Sequence, residues 1–368
     1  MIESKDRVAK VLRGELPDRV PFFPTIFTDH ACIASGLRFE DAIIDPAIGP
    51  KCMLKSALHY RADAVRFMMG PGSEWFQGKS VREEGDKLIQ FDRRTGKAEG
   101  FFDINGGGWF IPYAPPPAIV SVLEAESLPF LTAREYLDGG YFEYVKESVQ
   151  VAHCHDLFTV GMAGGQTIGF MADRLGGAEA ALLCFYDNPE MAKTLIRKGV
   201  AASVEKIRAF AECGVDCIYI GDSYASGSVI SPAIYVEFCL PAYRDAAAEA
   251  HRLGLFCYQH CCGNYNPFLS ILPSTGIDLL DGMDPNSGMS VSNTKKIIGD
   301  QLSVMGGLSC LTLLQGTPET VYAEAKACIE AGKPGGRFML GSGCAVPRFT
   351  PPENIAAARK AIDDWGIY

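Results

Sequence analysis

The feature that most constrains the fold is a regular alternation of short apolar runs with amphipathic stretches from about residue 155 onward. The apolar runs have the length of buried strands, and they lie at 156–162, 216–222, 255–261, 276–283, 302–309 and 337–343. The stretches between them have a helical period, and several end in glycine, a usual C-terminal stop of a helix. Alternating strands and helices of this kind predict a parallel β-sheet.

Two further runs near the start bring the predicted strands to eight. They are RVPFFPT (19–25) and ADAVRFM (62–68), and helices are predicted over 4–13 and 50–61. Eight parallel strands favour a (β/α)8 barrel, an α/β fold of the TIM type, over an open doubly wound sheet. No GxGxxG motif follows the first strand, which argues against a dinucleotide-binding sheet. We predict a single barrel domain over residues 1–368.

Residues 70–135, after the second predicted strand, interrupt this alternation. The stretch KSVREEGDKLIQFDRRTGKAEGFF (79–102) predicts a β-hairpin that turns at RTGK. The stretch that follows, 103–120, is rich in glycine, proline and aromatic residues and predicts an ordered loop or cap. Insertions of this length often supply lids over active sites. A role near the active site and a plain surface excursion both remain open.

Composition excludes several classes of protein. A hydrophobic content of 48% and a charged content of 21% are typical of a globular chain with a large core. The net charge of −10 argues against a nucleic-acid or anionic-membrane partner, which requires a basic face. We find neither an apolar stretch of transmembrane length nor a secretory signal. The 13 cysteines, an odd number, are therefore expected to be free thiols in a reducing cytoplasm.

Three residues with side chains suited to bind metal lie at the ends of predicted strands. His260 and Cys262 close the fifth strand, and Cys344 closes the eighth. Side chains two apart in an extended segment point the same way, whereas Cys261 between them points oppositely. Because the carboxyl ends of barrel strands face one mouth, the three side chains are expected to meet there. Two thiolates and an imidazole suit zinc with an open coordination position. The alternative is a satisfied core histidine with inert buried thiols.

Acidic and other polar residues near the strand ends are weaker candidates. Asp222 follows the fourth strand and Asp284 the sixth, and each can be a fourth zinc ligand, a general acid or a substrate anchor. Alternatively, both only cap or open a turn. Asp281 lies an odd number of residues before Asp284 and is expected to face the other way. His30 is expected near the start of a helix, and the histidines of 153–155 are expected at the opposite end of the barrel.

Several segments resemble the uroporphyrinogen decarboxylase superfamily over nearly the whole chain. The opening SKDRVAKVLRGELPDRVP is similar to the family's N-terminal helix and first strand, and HCCGN and GCAVPRFTPPENIAAARKA are similar to its later blocks. The decarboxylases carry an arginine-rich motif after the first strand, whereas this chain has PFFPTIFTDH (21–30) without arginine. His-x-Cys-Gly with a distant Gly-Cys resembles the zinc signature of the methyltransferase branch, which moves methyl groups to or from the cobalt of a corrinoid protein. The resemblance implies that His260, Cys262 and Cys344 bind Zn²⁺.

The resemblance also implies a substrate class. Methyltransferases that act on coenzyme M typically carry a Glu-Glu pair after the sixth strand, where this chain has Met283 and Asp284. The chain is more similar to the first methyltransferases of O-demethylase systems, which pass methyl from methoxylated aromatics to cobalamin on a partner corrinoid protein. In that role Asp222 or Asp284 protonates the departing phenolate or positions the substituents of the ring. A thiol methyltransferase, a decarboxylase and a non-catalytic zinc-binding or tetrapyrrole-binding protein are the alternatives.

Overall fold

The computed structural model describes residues 2–85, 87–164 and 167–368. The strands are β1 (Ala64–Phe67), β2 (Lys79–Glu84), β3 (Lys87–Asp92), β4 (Ala98–Asp103), β5 (Trp109–Pro112), β6 (Phe158–Gly164), β7 (Cys217–Gly221), β8 (Phe256–His260), β9 (Leu279–Met283), β10 (Ser303–Leu308) and β11 (Phe338–Ser342). The α-helices are α1 (Ser4–Arg13), α2 (Thr28–Ala34), α3 (Phe39–Ile44), α4 (Ile48–His59), α5 (Ser73–Gly78), α6 (Val122–Ser127), α7 (Ala133–Asp138), α8 (Glu143–Cys154), α9 (Ile168–Leu175), α10 (Ala178–Asp187), α11 (Pro189–Glu212), α12 (Pro232–Ile234), α13 (Leu240–Arg252), α14 (Val291–Ile298), α15 (Cys310–Gln315), α16 (Pro318–Gly332) and α17 (Pro352–Trp365). A π-helical turn at Tyr235–Cys239 joins α12 to α13, and 3-10 turns lie at Asn266–Phe268, Leu272–Thr275 and Pro285–Ser287.

Seven parallel strands form the central sheet, in the order β1-β6-β7-β8-β9-β10-β11. Every residue of β9, β10 and β11 is buried, as expected when helices cover the outside of a parallel sheet and side chains fill its inside. The six apolar runs predicted after residue 155 and the run at 62–68 each overlap one of these strands. The predicted α/β class and barrel architecture are confirmed, whereas the single-domain extent over 1–368 stays a prediction.

The segment predicted as the first strand, 19–25, joins the two edges of this sheet without being a regular strand. On one side the Phe23 N–H donates to the Leu340 carbonyl at 2.9 Å, and the Leu340 N–H donates to the Pro21 carbonyl at 3.0 Å. On the other side the Asp63 N–H donates to the Phe22 carbonyl at 2.8 Å. Proline has no N–H to add to a ladder, so the prolines in this segment explain why it makes only one isolated bridge to the sheet, between Phe22 and Leu340.

Helix α1 fills the amino end of the barrel. Its residues Val8 and Leu12 pack with Phe158, Leu279 and Met305, which point into the barrel interior. Apolar side chains close this end of the barrel, so we expect a ligand to enter from the carboxyl end. Barrel enzymes place their active sites at that end of the strands.

The insertion between β1 and β6 contains more strands than predicted. Strands β2, β3, β4 and β5 form a four-stranded antiparallel sheet. The predicted turn at RTGK is present between β3 and β4, but the first arm of the predicted hairpin is itself split into β2 and β3 at Gly85, whose φ is +65°. The turn was not predicted because charged residues flank Gly85 on both sides and continue the pattern of the strand. Asp86 itself lies outside the described residues. Strand β5 forms within the segment that was predicted as a loop.

Candidate metal centre

The structure brings the three predicted metal ligands together at the carboxyl end of the barrel. His260 is the last residue of β8, Cys262 follows two residues later, and Cys344 follows β11. His260 Nε2 lies 2.9 Å from Cys262 Sγ, which lies 2.9 Å from Cys344 Sγ, and Cys344 Sγ is 3.8 Å from His260 Nε2. Across the described residues, this is the one group of three His, Cys, Asp or Glu side chains whose ligand atoms lie within 4.8 Å of each other.

Two glycines let the loops that carry these ligands approach one another. A Cβ on Gly221, at the end of β7, would lie 2.5 Å from the His260 carbonyl oxygen. A Cβ on Gly343, directly before Cys344, would lie 2.3 Å from the Cα of Asp284. Real Cβ atoms essentially never come this close to backbone, so a larger residue at either position would move a strand end. The glycines therefore fix the spacing of the cluster.

Asp281 orients the histidine of the cluster. His260 Nδ1 lies 2.8 Å from Asp281 Oδ2, which leaves Nε2 to face the two sulfurs. Burial favours the neutral imidazole, but the Asp281 carboxylate and Cys344 together outweigh it and raise the pKa of His260 to about 9. A carboxylate in this place sets the orientation of a metal-binding histidine and increases its basicity.

Asp281 was expected to face away from Asp284, yet its side chain contacts His260 of the cluster. The alternation argument counted from Asp284, but β9 ends at Met283, and Gly282 has a φ of +108°. Alternation of side chains holds only within an extended strand, so the count does not carry across this point. Asp281 could have been found from the pairing of neighbouring strands, because it is in register with His260.

The two cysteines of the cluster form one coupled pair of thiols. Contact between their sulfurs lowers the pKa of Cys262 and raises that of Cys344, because the pair shares a proton. Cys262 is exposed and His260 is buried, so the cluster opens outward on the side of Cys262. Two sulfurs and one histidine nitrogen are a donor set that suits zinc, and the Asp281 contact matches the usual surroundings of a zinc-binding histidine. The residues present therefore fit the ion.

A further thiol lies beside the cluster. Cys310, the first residue of α15, follows β10 and donates through Sγ to the Ala345 carbonyl at 3.4 Å. Burial raises the pKa of this thiol, and the nearby Asp284 raises it further. Its place directly after a predicted strand was the signal that sequence reasoning left unused.

Asp222 lies at the end of β7 and is fully engaged by neighbouring loops. Its Oδ2 accepts from Thr167 Oγ1 at 2.6 Å and from the Gly169 N–H at 2.8 Å, and its Oδ1 accepts from the Tyr224 N–H at 3.0 Å. The carboxylate thus holds the start of α9 and its own turn in place. A catalytic role for Asp222 stays a prediction.

Asp284 lies against Gly343, the residue directly before Cys344, and is half-buried. Its Oδ1 accepts from the backbone N–H of Asn286 at 2.9 Å and from Asn286 Nδ2 at 2.8 Å, which caps the 3-10 turn that follows. The expected turn at Asp-Pro-Asn is therefore present, and the same residue borders the cluster. Its proposed catalytic role also stays a prediction.

The remaining histidines lie elsewhere. His30 is buried in α2, with Nδ1 3.0 Å from the Arg348 carbonyl oxygen and Nε2 2.9 Å from Tyr60 Oη, so both ring nitrogens have partners. His153 Nε2 lies 2.9 Å from Asp216 Oδ2. Asp216 directly precedes β7, so His153 lies at the amino end of the barrel, as expected. Neither belongs to the cluster.

These observations define a class of protein: a parallel α/β barrel with a Cys-Cys-His cluster at its carboxyl end. The profile of the uroporphyrinogen decarboxylase (URO-D) family matches residues 109–365, which is well over half of the chain. The chain belongs to this family, and the resemblance drawn from its motifs is confirmed.

Relatives within the family include methyltransferases. The chain is 30% identical over 200 residues to a methylated-thiol–coenzyme M methyltransferase of Methanosarcina mazei, a match that covers 54% of this chain and 51% of the relative. It is 32% identical over 165 residues to the methylcobamide:CoM methyltransferase MtaA of Methanosarcina barkeri, with 45% of this chain and 46% of the relative covered. The chain thus spans about half the length of these curated relatives.

A solved structure supports the fold over the full chain. A methyltransferase from Methanosarcina mazei superposes with a TM-score of 0.73 at 22% sequence identity, covering 99% of both chains. At this identity the likeness concerns the fold. In the described part of the chain, none of the helices combines the length and the apolar character needed to cross a bilayer.

Proposed function

We propose that this chain is a zinc-dependent methyltransferase that exchanges a methyl group with the cobalt of a corrinoid protein. The observation that carries the proposal is the convergence of His260, Cys262 and Cys344 at the open end of the barrel. Relatives named for methyl transfer from methylcobamide and from methylated thiols support it. We place this activity in the reducing cytoplasm, where the free thiols of the cluster persist.

His260, Cys262 and Cys344 would hold the zinc, with a fourth position open toward the barrel mouth. When bound, zinc supplies Lewis acidity to an oxygen or sulfur atom of the substrate. Asp281 fixes the ring of His260 through Nδ1, so that Nε2 stays turned toward the two sulfurs. Cys310 borders the cluster from α15 and contributes to its sulfur-rich surroundings.

Asp284 is our choice for the general acid. It is half-buried beside Gly343, the residue before Cys344, and the hydrogen bonds from Asn286 leave its second carboxylate oxygen for another donor or acceptor. Asp222 is a weaker choice, because three donors from neighbouring loops already use both of its oxygens. In our scheme Asp284 protonates a departing phenolate, which is a poor leaving group without a proton.

We further propose a methoxylated aromatic compound as the methyl donor. The chain has Met283 and Asp284 where coenzyme M enzymes typically carry two glutamates, which argues against a thiol acceptor. The insertion adds exposed aromatic surface, with the Trp109 side chain 72% exposed. Such surface suits a flat aromatic ring.

A thiol methyltransferase is the second candidate. Both curated relatives are named for thiol or coenzyme M substrates. A site with two cysteine sulfurs is also less Lewis acidic than one with three imidazoles, which suits activation of a thiol. The decarboxylase alternative is disfavoured because PFFPTIFTDH (21–30), where decarboxylases carry an arginine-rich motif, contains no arginine to bind substrate carboxylates.

The corrinoid partner would approach the barrel mouth. Exposed apolar side chains follow three of the barrel strands, namely Tyr224 after β7, Leu311 after β10 and Phe349 after β11. Apolar side chains around a concave site favour contact with another protein. A corrinoid group presented from that side would face the open position of the cluster.

A substrate panel tests this function. The purified protein is incubated with a corrinoid protein reduced to cobalt(I) and with a series of methoxybenzenes, and phenol release is measured. Our scheme predicts release, and predicts that Asp284→Asn slows it most for ethers of the least acidic phenols. Asp6→Asn, at the amino end in α1, is the matched control and should react like the wild type.

A second arm uses methylcobalamin with a thiol acceptor. Thiol methylation without any ether cleavage would replace our substrate assignment by the second candidate. Zinc binding without activity in either arm would favour a non-catalytic zinc protein.

A further inference from the structure

The most unusual buried side chain lies beneath the cluster, on a strand that contributes no ligand. Arg66 in β1 is only 1% exposed. It interrupts an otherwise apolar strand, Ala64–Phe67, and its guanidinium crosses the barrel interior to β8 and β9. A buried arginine is expensive to desolvate, so its presence calls for a specific partner.

Three contacts hold the Arg66 guanidinium in one place. Nε donates to Tyr258 Oη at 2.7 Å, and Nη1 donates to the Pro24 carbonyl at 3.0 Å. The guanidinium carbon lies 3.9 Å from the centre of the Phe23 ring, within the range of a cation–π contact. The contacting residues lie in the segment 19–25 and in β8, so the position of the charge is fixed.

The remaining guanidinium nitrogen, Nη2, faces the Asp281 carboxylate, which orients His260. Arg66 Nη2 lies 3.8 Å from Asp281 Oδ2, the same oxygen that contacts His260 Nδ1. Neither Arg66 Nη2 nor Asp281 Oδ1 has a hydrogen-bond partner among the described residues. Both side chains are buried, and charges in such surroundings interact far more strongly than at the surface.

We propose that Arg66 is a positioning residue of the metal centre, which acts through Asp281 on His260. The proposal rests on the proposed function, because it assumes that the cluster binds a metal. Arg66 supplies the countercharge that keeps the Asp281 carboxylate in the barrel interior and aimed at Nδ1. Stability alone does not explain the pair, because a buried ion pair is often no more stable than apolar residues of similar volume.

Zinc affinity, measured by competition with a chelator, is the readout. Arg66→Met keeps an unbranched, mostly apolar side chain and removes the guanidinium charge, and we expect a roughly tenfold loss of affinity, the low end for changes outside the ligand set. Arg66→Lys keeps the charge and should recover part of the loss. Arg7→Met is the matched control, since Arg7 is also buried against an aspartate, Asp63, but at the amino end. It should leave zinc affinity unchanged.

The pathway through Asp281 is tested by a double-mutant cycle. If Arg66 acts through Asp281, Arg66→Met has no further effect on zinc affinity once Asp281→Asn is present. Additive losses would overturn the proposal, as would an unchanged or increased affinity in Arg66→Met alone. Should Arg66→Met not fold, the same cycle is run with Arg66→Lys.

The result also separates this inference from the proposed function. Zinc binding by the wild type with no effect of Arg66→Met removes the inference and leaves the function standing. A wild type that binds no zinc removes both.

Discussion

A methyl group added at Gly343 gives a sharp test of the geometry around Cys344. The Cβ of Gly343→Ala would lie 2.3 Å from the Cα, 2.4 Å from the Cβ and 2.7 Å from the N of Asp284. Ordinary contact begins at 3.4 Å, so one of the two loops must shift by about 1 Å. The atoms in the way belong mostly to backbone and cannot rotate aside.

Two consequences follow from that shift. Overpacking of this kind lowers the free energy of unfolding by about 1–3 kcal/mol. A metal site tolerates changes in ligand distance of only about 0.2 Å, so a displacement of Cys344 by several times that amount should weaken zinc binding at least tenfold. Stability and affinity should therefore fall together.

Urea unfolding and chelator competition measure the two effects on the same protein. Gly78→Ala is the matched control, because a Cβ at Gly78, the last residue of α5, meets nothing within 4 Å. The control should match the wild type in both assays. If Gly343→Ala keeps wild-type zinc affinity and loses less than about 0.5 kcal/mol, the close contact between the two loops is refuted.

Two further predictions concern stability away from the cluster. Asp63→Asn removes a buried negative charge that two guanidiniums share, since Arg7 Nη1 and Arg19 Nη2 each lie 2.8 Å from Asp63 Oδ1. Urea unfolding should show a loss of about 3 kcal/mol with unchanged zinc affinity, and a loss below about 1 kcal/mol would contradict this. Hydrogen bonds from Arg252 and Arg208 lower the pKa of Glu249 from 4.5 to about 2, so its contribution to stability is full above pH 4.5 and disappears as the pH falls toward 2. Glu249→Gln should therefore be less stable than the wild type by about 1 kcal/mol at pH 6, because solvent screens the exposed Arg252, and the two proteins should converge near pH 2. A constant difference across this range would refute the assignment.

The barrel was predictable because its strands and helices repeat along the chain. Strands buried on both faces appear as continuous apolar runs, and runs such as 302–309 and 337–343 correspond closely to β10 and β11. The cluster was predictable for a related reason. Strand ends of a parallel barrel meet at one mouth, so the ends of β8 and β11 can be brought together without knowledge of any loop.

What the sequence did not reveal depends on local departures from regular structure. The positive φ of Gly282 broke the alternation on which the position of Asp281 was judged. The turn at Gly85 divided one predicted strand into two. The segment 19–25 was predicted as a strand, but its prolines limit it to two isolated bridges. Each of these features depends on the backbone at one or two residues. A hydrophobic pattern is read over many residues and therefore does not detect them.

Arg66 and Cys310 were missed because their partners are distant in sequence. Arg66 meets Tyr258 and Asp281, which lie on strands of the far half of the chain. Cys310 is one of 13 cysteines, and its place directly after a predicted strand was the one local sign that set it apart. Only the closure of the barrel brings either residue to the cluster.

The metal content of the purified protein tests the central claim most directly. The protein is produced with zinc in the medium, and bound metal is measured for the wild type, Cys344→Ser and Cys154→Ser. Cys154 is an exposed free cysteine at the end of α8 and serves as the control. We predict about one zinc per chain in the wild type and in Cys154→Ser, and a clear loss in Cys344→Ser. A wild type without metal, or a Cys344→Ser protein that keeps its full zinc content, would contradict the account.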